Sequence, residues 1–593
     1  MINLITEHID IWTAAQEQKT NGGRGRGNNS NGQNFYGIKK LRELILELAV
    51  RGKLVPQDPN DEPASALLEK IRPERDQLIK EGKFKNIEED RRVDSKTLFS
   101  IPKNWKWCRL NDIAAIARGG SPRPIKSYIT DSPNGLNWIK IGDTDRKSRY
   151  IASTEEKIIK EGLIKTRVVY PGDLILSNSM SYGFPYILKI EGCIHDGWLV
   201  IRTPKKLVDK MYMCHLFLSM HAKKSFDSAA AGAVVQNLNA DKVRMLTIPL
   251  PPLAEQHRIV AKVDELMALC DQLEQQQTDS NAAHQILAEN LLATLTSAAD
   301  QKELTESWQR IADNFDTLFT TEHSIDQLKQ TILQLAVMGK LVPQDPNDEP
   351  ASELLKKIAK EKARLMKEGK IKKQKPLPEI SEDEKLFDLP EKWEWIPLGN
   401  MISIMDAGWS PACIPTPSPN IDTWGILKTT AVQIMNYLEN ENKELPARLE
   451  PRPQYEVKKG DILITRAGPK NRVGISCLVQ ETRPKLMISD KIIRFHLYEV
   501  GINEKYISLC LNAGATADYL EKAKSGMAES QMNISQVKLK AVPVPLCSLS
   551  EQHRIVTKVD ELMTLCDALK ARINNSQTTQ IQLADAIVNQ AVA

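Results

Sequence analysis

Apolar residues recur at alternating steps of four and three in two places along the chain, at 259, 263, 266, 270 and 273 and again at 555, 559, 562, 566, 569 and 573. That spacing lays one apolar stripe along an α-helix and predicts the seam of a coiled coil. Prolines at 249, 251 and 252, and at 543 and 545, hold the chain extended just before each stripe, so a long helix is predicted to start abruptly in both places. Ser548 and Glu551 have the spacing of a capping box on the second. At ~1.5 Å per residue a helix from 255 to about 297 spans on the order of 60 Å, a length that suits a spacer. Shorter amphipathic patterns cover 38 to 50 and 325 to 337, with Gly52 and Gly339 where each helix would stop. Strongly charged helices are predicted over 64 to 85 and 351 to 374. The stretches 102 to 250 and 390 to 546 differ: they hold short β-type runs at 138–141, 173–176, 198–202, 461–465 and 491–495, bounded by Gly, Pro and Asp, and predict α+β domains.

The chain is written twice. Residues 46 to 71 recur at 333 to 358 with 22 of 26 positions identical, carrying LVPQDPNDEPAS in both copies. AEQHRIVAKVDELMALCDQL at 254 to 273 returns as SEQHRIVTKVDELMTLCDAL at 550 to 569, with 16 of 20 identical. Each half runs helix, LVPQDPNDEPAS turn, charged helix, a variable stretch opened by a tryptophan pair (Trp105 and Trp107; Trp393 and Trp395), then the EQHRIV helix. The repeat implies a pseudo-two-fold molecule with two similar surfaces for two copies of one partner. A helical bundle that merely holds domains together is the plainer alternative. Between the shared blocks the halves diverge, with weak anchors: PGDLILSNS at 171 to 179 against KGDILITRA at 459 to 467, and Asn237-Leu238-Asn239 against Asn533-Ile534-Ser535.

The expected domains are therefore 1–101, a helical region with a flexible Gly- and Asn-rich linker at 21–34; 102–250, a first variable domain; 251–389, a central helical spacer; 390–546, a second variable domain; and 547–593, a terminal helix. The fold class is α+β: two α/β domains separated by long repeated coiled-coil helices. No run approaches the ~20 apolar residues of a membrane span, and the acidic amino-terminal stretch is unlike a secretion signal, so a cytoplasmic protein is expected. Nine cysteines without a C-x-x-C pair suggest neither a disulfide framework nor a zinc site.

Net charge is only +4, but it is unevenly placed. Residues 102 to 250 carry 23 Lys and Arg against 13 Asp and Glu, 390 to 546 carry 19 against 17, and the helical remainder is left at −8. Basic modules on acidic spacers favour a polyanion as ligand of the modules. For the nearly neutral second module taken alone, a solvated face without a ligand is an even alternative.

Signatures of catalysis are missing: there is no G-x-x-x-x-G-K-[ST] loop, no G-x-G-x-x-G turn and no Asn- or Asp-Pro-Pro-aromatic tetrapeptide. Glu155-Glu156-Lys157 after Asp143 and Asp145 has the outline of a nuclease triplet, but with 26% charged residues such triplets arise by chance. His257 and His553, in the first turn of the repeated helix, are structural or interface residues. No catalytic, cofactor-binding or metal residue is assigned. What remains are loops rich in groups that read base edges or hold phosphates. Gly119-Gly120-Ser121-Pro122-Arg123 and Gly408-Trp409-Ser410-Pro411 lie at matching places, as do 177–182 and 465–472. The candidate DNA-contacting residues are Ser121, Arg123, Lys140, Asn178, Ser179 and Tyr182, and Trp409, Lys428, Arg466, Lys470, Asn471 and Arg472. Arg258, Lys262 and Glu265, with Arg554, Lys558 and Glu561, are the candidate partner contacts on the repeated helices.

The doubled LVPQDPNDEPAS blocks, the doubled EQHRIV-x-KVDEL-M helices after a Pro-rich strand, and the Gly-Asp-Leu/Ile runs in the variable domains together resemble the specificity subunits of type I restriction-modification enzymes. The likeness covers nearly the whole chain apart from the Gly- and Asn-rich stretch. It implies two target-recognition domains, each reading one half of a split asymmetric site in double-stranded DNA, and helices that receive two methyltransferase subunits. Those partners would hold S-adenosylmethionine and flip the target adenine, and restriction subunits would join with ATP and magnesium. This chain would be a non-catalytic ruler, with the helices fixing the gap and a helical turn inserted near 290 altering it. A duplicated helical adaptor without DNA readout is the alternative, and a self-contained enzyme a third reading.

Overall fold

The computed structural model describes residues 7–16, 35–81, 84, 99–145, 148–179, 182–230, 238–371, 376–385 and 387–592. The expected linker at 21–34 lies outside them, as do Met180, Ser181 and Asn237 of the loops singled out above. The chain divides into two units, residues 1–281 with 575–593, and 282–574. Both contain helices and sheets, and the long helix Leu253–Ser297 is 45 residues. Among the described residues no helix is long and apolar enough to cross a membrane.

In the first unit the helices Tyr36–Val50 and Ala64–Glu81 pack with the first part of Leu253–Ser297 and the last turns of Leu549–Val592. The predicted seam explains the packing: Ile259, Val263, Cys270 and Leu273 are buried with Leu41, Leu44, Leu48, Ala584 and Val588. Arg42 reaches Asp271 at 2.6 Å and Glu274 at 3.0 Å, and the Tyr36 hydroxyl donates to Asp585 at 2.9 Å. In the second unit Glu322–Val337 and Ala351–Lys367 pack with the start of Leu549–Val592 and with the end of Leu253–Ser297, through Ile325, Ile332, Leu354, Ile555, Val559, Leu292 and Leu295. Lys570 bridges to Asp326 at 3.0 Å and Glu322 at 3.3 Å. Gly52 and Gly339 take positive φ, 66° and 70°, and end their helices as expected. The second charged helix stops earlier than the pattern predicted, at Lys367, and the described part of the first runs to Glu81, with Phe84 outside the helix.

Each unit carries a sheet-bearing module whose mouth is a two-stranded antiparallel ribbon. Lys106–Arg109 pairs with Thr247–Leu250, and Glu394–Pro397 with Pro543–Leu546. The chain thus enters and leaves each module side by side. In the first module five strands run in the order Ala115–Arg118, Trp198–Arg202, Leu174–Ser177, Pro185–Leu188, Tyr150–Ile151. A second sheet joins Glu156–Ile158, Leu136–Ile139, Gly192–Ile194 and Arg167–Val169. The second module has Ile402–Ala407, Ile492–Leu497, Ile462–Thr465 and Ser476–Leu478 in order, with Asn442–Glu444, Gly425–Leu427 and Leu486–Met487 beside them. Both modules also contain helices that the hydrophobic pattern did not announce, among them Lys210–Leu218 and Glu504–Leu511. These are buried on most sides, so their apolar residues form no stripe. Tyr212 and Tyr506 sit in them, each donating its hydroxyl to a carbonyl of the ribbon, Pro249 or Pro545, at 2.8 Å.

Candidate nucleic-acid interface

Strand register decides which loops meet. In the first module Leu199 pairs with Arg118 and Trp198 with Ser177, so the segments 119–123, 178–179, 182–184 and 195–197 emerge at one end of the sheet. Asp196 ties them together. Its carboxylate accepts from the Ser121 hydroxyl at 2.7 Å, and its backbone N–H donates back to Ser121 Oγ at 3.3 Å. Its carbonyl accepts from Arg118 Nε at 2.8 Å and Asn178 Nδ2 at 3.0 Å. The Ser121 hydrogen bond holds the Asp196 carboxyl below its ordinary range. Gly119 is required here, because a side chain would collide with the His195 carbonyl.

The second module repeats the construction. Ala407 pairs with Ile493 and Thr465 with Ile492, bringing the loops 408–411, 466–474 and 488–491 together. The Ser410 hydroxyl donates to Asp490, whose N–H donates to Ser410 Oγ at 3.2 Å, and Gly408 lies against the Ile488 carbonyl. At the opposite end of each sheet a Gly-Asp turn is pinned by an arginine from the neighbouring strand: Arg202 Nε to Asp173 at 2.9 Å, and Arg494 to Asp406 at 2.6 Å and Asp461 at 3.4 Å. Gly172 and Gly460 there have φ of 86° and 89°.

The sequence candidates distribute unevenly over this frame. Ser121 and Arg123 are in the first cluster, Arg123 with 82% of its side chain exposed and 3.7 Å from Asp196. Ser179 is half-buried beside them. Asn178 is buried, and its amide serves the Asp196 loop. Tyr182 donates to Asp227 at 2.8 Å, which raises its pKa. Lys140 is paired with Glu156 at 2.9 Å, whose hydrogen bond raises the ammonium pKa. In the second module Trp409 lies under the Arg452 guanidinium, 4.2 Å from the ring centroid. Asn471 is exposed and Lys470 lies 3.6 Å from Glu529. Lys428 faces Glu441 at 3.7 Å. Arg472 points inward, donating to Gln433 at 3.0 Å and to the carbonyls of Thr429 at 2.9 Å and Val432 at 2.6 Å. Arg466 is half-buried, and its backbone carbonyl accepts from Ile534 at 2.8 Å. Reading the sequence missed Asp196 and Asp490, which organise both clusters. The available signal was the pairing of Gly-x-Ser-Pro with an Asp just before the last β-type run in each half.

The repeated helices hold a second duplicated device. Glu255, buried at the start of its helix, accepts from Trp105 Nε1 at 2.8 Å and Gln57 Nε2 at 2.6 Å. Glu551 accepts from Trp393 at 2.9 Å and Gln344 at 2.6 Å. Burial raises both carboxyl pKa values. Gln256 and Gln552 each accept from a module backbone N–H, of Asp209 and Asn503, at 2.9 Å. Arg258 grips Asp61 at 2.5 Å and Arg554 grips Asp348 at 2.6 Å. The near-identical blocks are thus mutually bonded: the LVPQDPNDEPAS turn, the tryptophan and the EQHRIV helix form one clamp per unit. Arg258 and Arg554, candidates for a partner, are engaged within the clamp. Lys262 pairs with Glu265 at 2.7 Å, and Lys558 with Glu561 at 3.1 Å, one turn further along each helix. Only half of the expected capping box forms: Ser548 Oγ accepts from the Glu551 N–H at 3.1 Å, but the Glu551 carboxylate is turned to Trp393 and Gln344. Trp105→Phe is expected to leave a buried carboxylate oxygen without its donor and cost roughly 1–3 kcal/mol, with Trp393→Phe doing the same in the second unit. Urea unfolding measures both; losses below about 0.5 kcal/mol in both would contradict the clamp.

Two sheet modules on duplicated helical clamps, each gathering a polar loop cluster at the same sheet end, define a duplicated two-module protein. The chain belongs to the family described as the type I restriction modification DNA specificity domain, whose model matches residues 102–280 and 390–577. It is 50% identical over 604 residues to the type I restriction enzyme EcoEI specificity subunit of Escherichia coli, covering 99% of each chain. It is 38% identical to the EcoAI specificity subunit of Escherichia coli, again over 99% of each. Among solved structures, the HsdS subunit from Thermoanaerobacter tengcongensis is similar at 18% identity and a TM-score of 0.40, covering 84% of this chain and 99% of that one.

Proposed function

We propose that this chain is the DNA-reading, non-catalytic subunit of a cytoplasmic type I restriction-modification complex. Each module reads one half of a split, asymmetric site, and the helical layers receive two methyltransferase subunits, with restriction subunits joining them. S-adenosylmethionine, ATP and magnesium belong to those partners. The observation that carries the reading is the pair of loop clusters, built on the same Ser–Asp tie but lined by different side chains: Ser121 and Arg123 in one, Trp409, Arg452 and Asn471 in the other. One frame with two chemistries is what two unlike half-sites require. The surplus of positive charge on residues 102 to 250 supports it, and the relatives are named specificity subunits. Partner contact is assigned to the repeated helix turns carrying Lys262, Glu265, Lys558 and Glu561, with the partly exposed Arg258 and Arg554 beside them.

A gel shift with the full chain and its methyltransferase subunits, across a library of duplexes, is expected to retain one bipartite sequence selectively. Equal retention of all duplexes, or none, would favour an adaptor that assembles proteins without reading DNA. Methyl transfer by the purified chain alone would replace both readings with a self-contained enzyme.

A further inference from the structure

The two modules share the Ser–Asp tie, the glycine packed on a carbonyl and the Gly-Asp turn, so the positions where this frame is kept and the chemistry changes are the informative ones. One stands out. Counting back eight residues from the Gly-Asp turns at Gly172 and Gly460 pairs Ile164 with Arg452, and aligning the Gly-x-Ser-Pro loops pairs Gly120 with Trp409. In the second module that place is a guanidinium stacked on an indole. In the first it is an isoleucine with 91% of its surface exposed.

Ile164 sits on the 3-10 turn Lys160–Lys165, which packs against the Gly-Gly-Ser-Pro-Arg loop. A Cβ placed on Gly120 would meet the Lys165 carbonyl oxygen at 2.5 Å, and one on Gly162 would lie 3.7 Å from Pro122 and 3.5 Å from the Tyr128 ring. The Ile159 N–H donates to the Tyr128 carbonyl at 2.9 Å, and Lys165 Nζ lies 5.8 Å from the Tyr128 ring centroid. The turn and the segment 122–128 therefore form one lip of the cluster. Arg123, Lys126, Lys160 and Lys165 on this lip are all exposed, against the single exposed carboxylate of Glu161. An aliphatic side chain held out in water among four cations suits neither a packed core nor an apolar protein surface. It suits a duplex, whose phosphates meet the cations while a base edge meets the methyl groups.

Resting on the reading of the modules as DNA readers, we propose that Ile164 is a specificity-determining residue of the first module, which takes the 5-methyl group of a thymine in the major groove while the surrounding cations hold phosphates. Of the four bases only thymine presents an apolar group there, so the contact selects one base at one position.

The test uses the full chain with its methyltransferase subunits and duplexes carrying the mapped site, with each thymine of the first half-site replaced in turn by deoxyuridine, which lacks only the methyl group. One replacement is expected to weaken binding by the native complex about four-fold, the worth of one buried methylene. It should leave binding by an Ile164→Ala complex unchanged, and Ile164→Val should restore most of the response. Replacements in the second half-site should not distinguish the variants. Because the side chain is exposed, truncation is not expected to unfold the module, and an unchanged urea midpoint checks this. A deoxyuridine effect of equal size in native and Ile164→Ala complexes, or no effect anywhere in the first half-site, overturns the assignment while leaving the reader function intact. Binding without sequence preference by the native complex overturns both.

Discussion

A chain whose residues 102–250 are exchanged for the matching stretch of a relative is expected to direct methylation by its proposed partners to a site altered in one half only. The physical ground is the ribbon at the module's mouth. Lys106 lies opposite Leu250 and Arg109 opposite Thr247, so the module leaves and rejoins the scaffold at neighbouring points. The exchange must take the whole stretch, because Tyr212, Leu216 and Phe217 of the helix Lys210–Leu218 share one buried cluster with Leu41, Leu44 and Leu48 of the helical layer. Each changed base pair costs roughly 1–3 kcal/mol, so three changed pairs lower affinity for the original site at least a hundred-fold. Genome-wide mapping of methylated adenines reads both halves and their gap at once. An exchange that altered both halves would end the modular picture.

The second large effect concerns the gap. Lengthening both long helices by seven residues, after Gln276 and after Ser576, is expected to yield a site whose halves are unchanged and whose unread centre is longer by about three base pairs. Seven residues add ~10 Å along a helix and turn it by almost two full turns, so the faces beyond the insertion keep their direction; at ~3.4 Å per base pair the shift follows. The structure moves the place for this experiment. Residue 290 lies between the buried Ala288 and Leu292, where an insertion would disrupt the second unit's core. The turns around Gln276 and Ser576 are largely exposed. An unchanged gap, or altered half-sites, would contradict a ruler built from these helices.

Much of the scaffold was legible because its signals are local. The steps of four and three from Ile259 to Leu273 name the buried face directly, and Gly52 and Gly339 mark helix ends through a backbone conformation that other residues resist. The β-type runs at 173–176, 198–202 and 461–465 fell on or within one residue of observed strands for the same reason. The loop clusters were legible only in part. Ser121 and Arg123 lie in the first cluster and Trp409 in the second, whereas Asn178 and Arg472, polar residues in polar loops, are turned inward to hold the loops in shape. Residue type alone does not separate a group that reads from one that braces.

The sequence by itself determined the duplication, the long helices, the α+β modules and the family, since repeats and periodicities are properties of the linear chain. Tertiary structure decided which distant groups meet: Asp196 with Ser121, 75 positions away, and Glu255 with Trp105, 150 positions away. It also brought Arg258 and Arg554 to Asp61 and Asp348, 197 and 206 positions away. Such encounters depend on strand register and helix packing, where a shift of one residue reverses the face a side chain presents, and no pattern within a single segment records them.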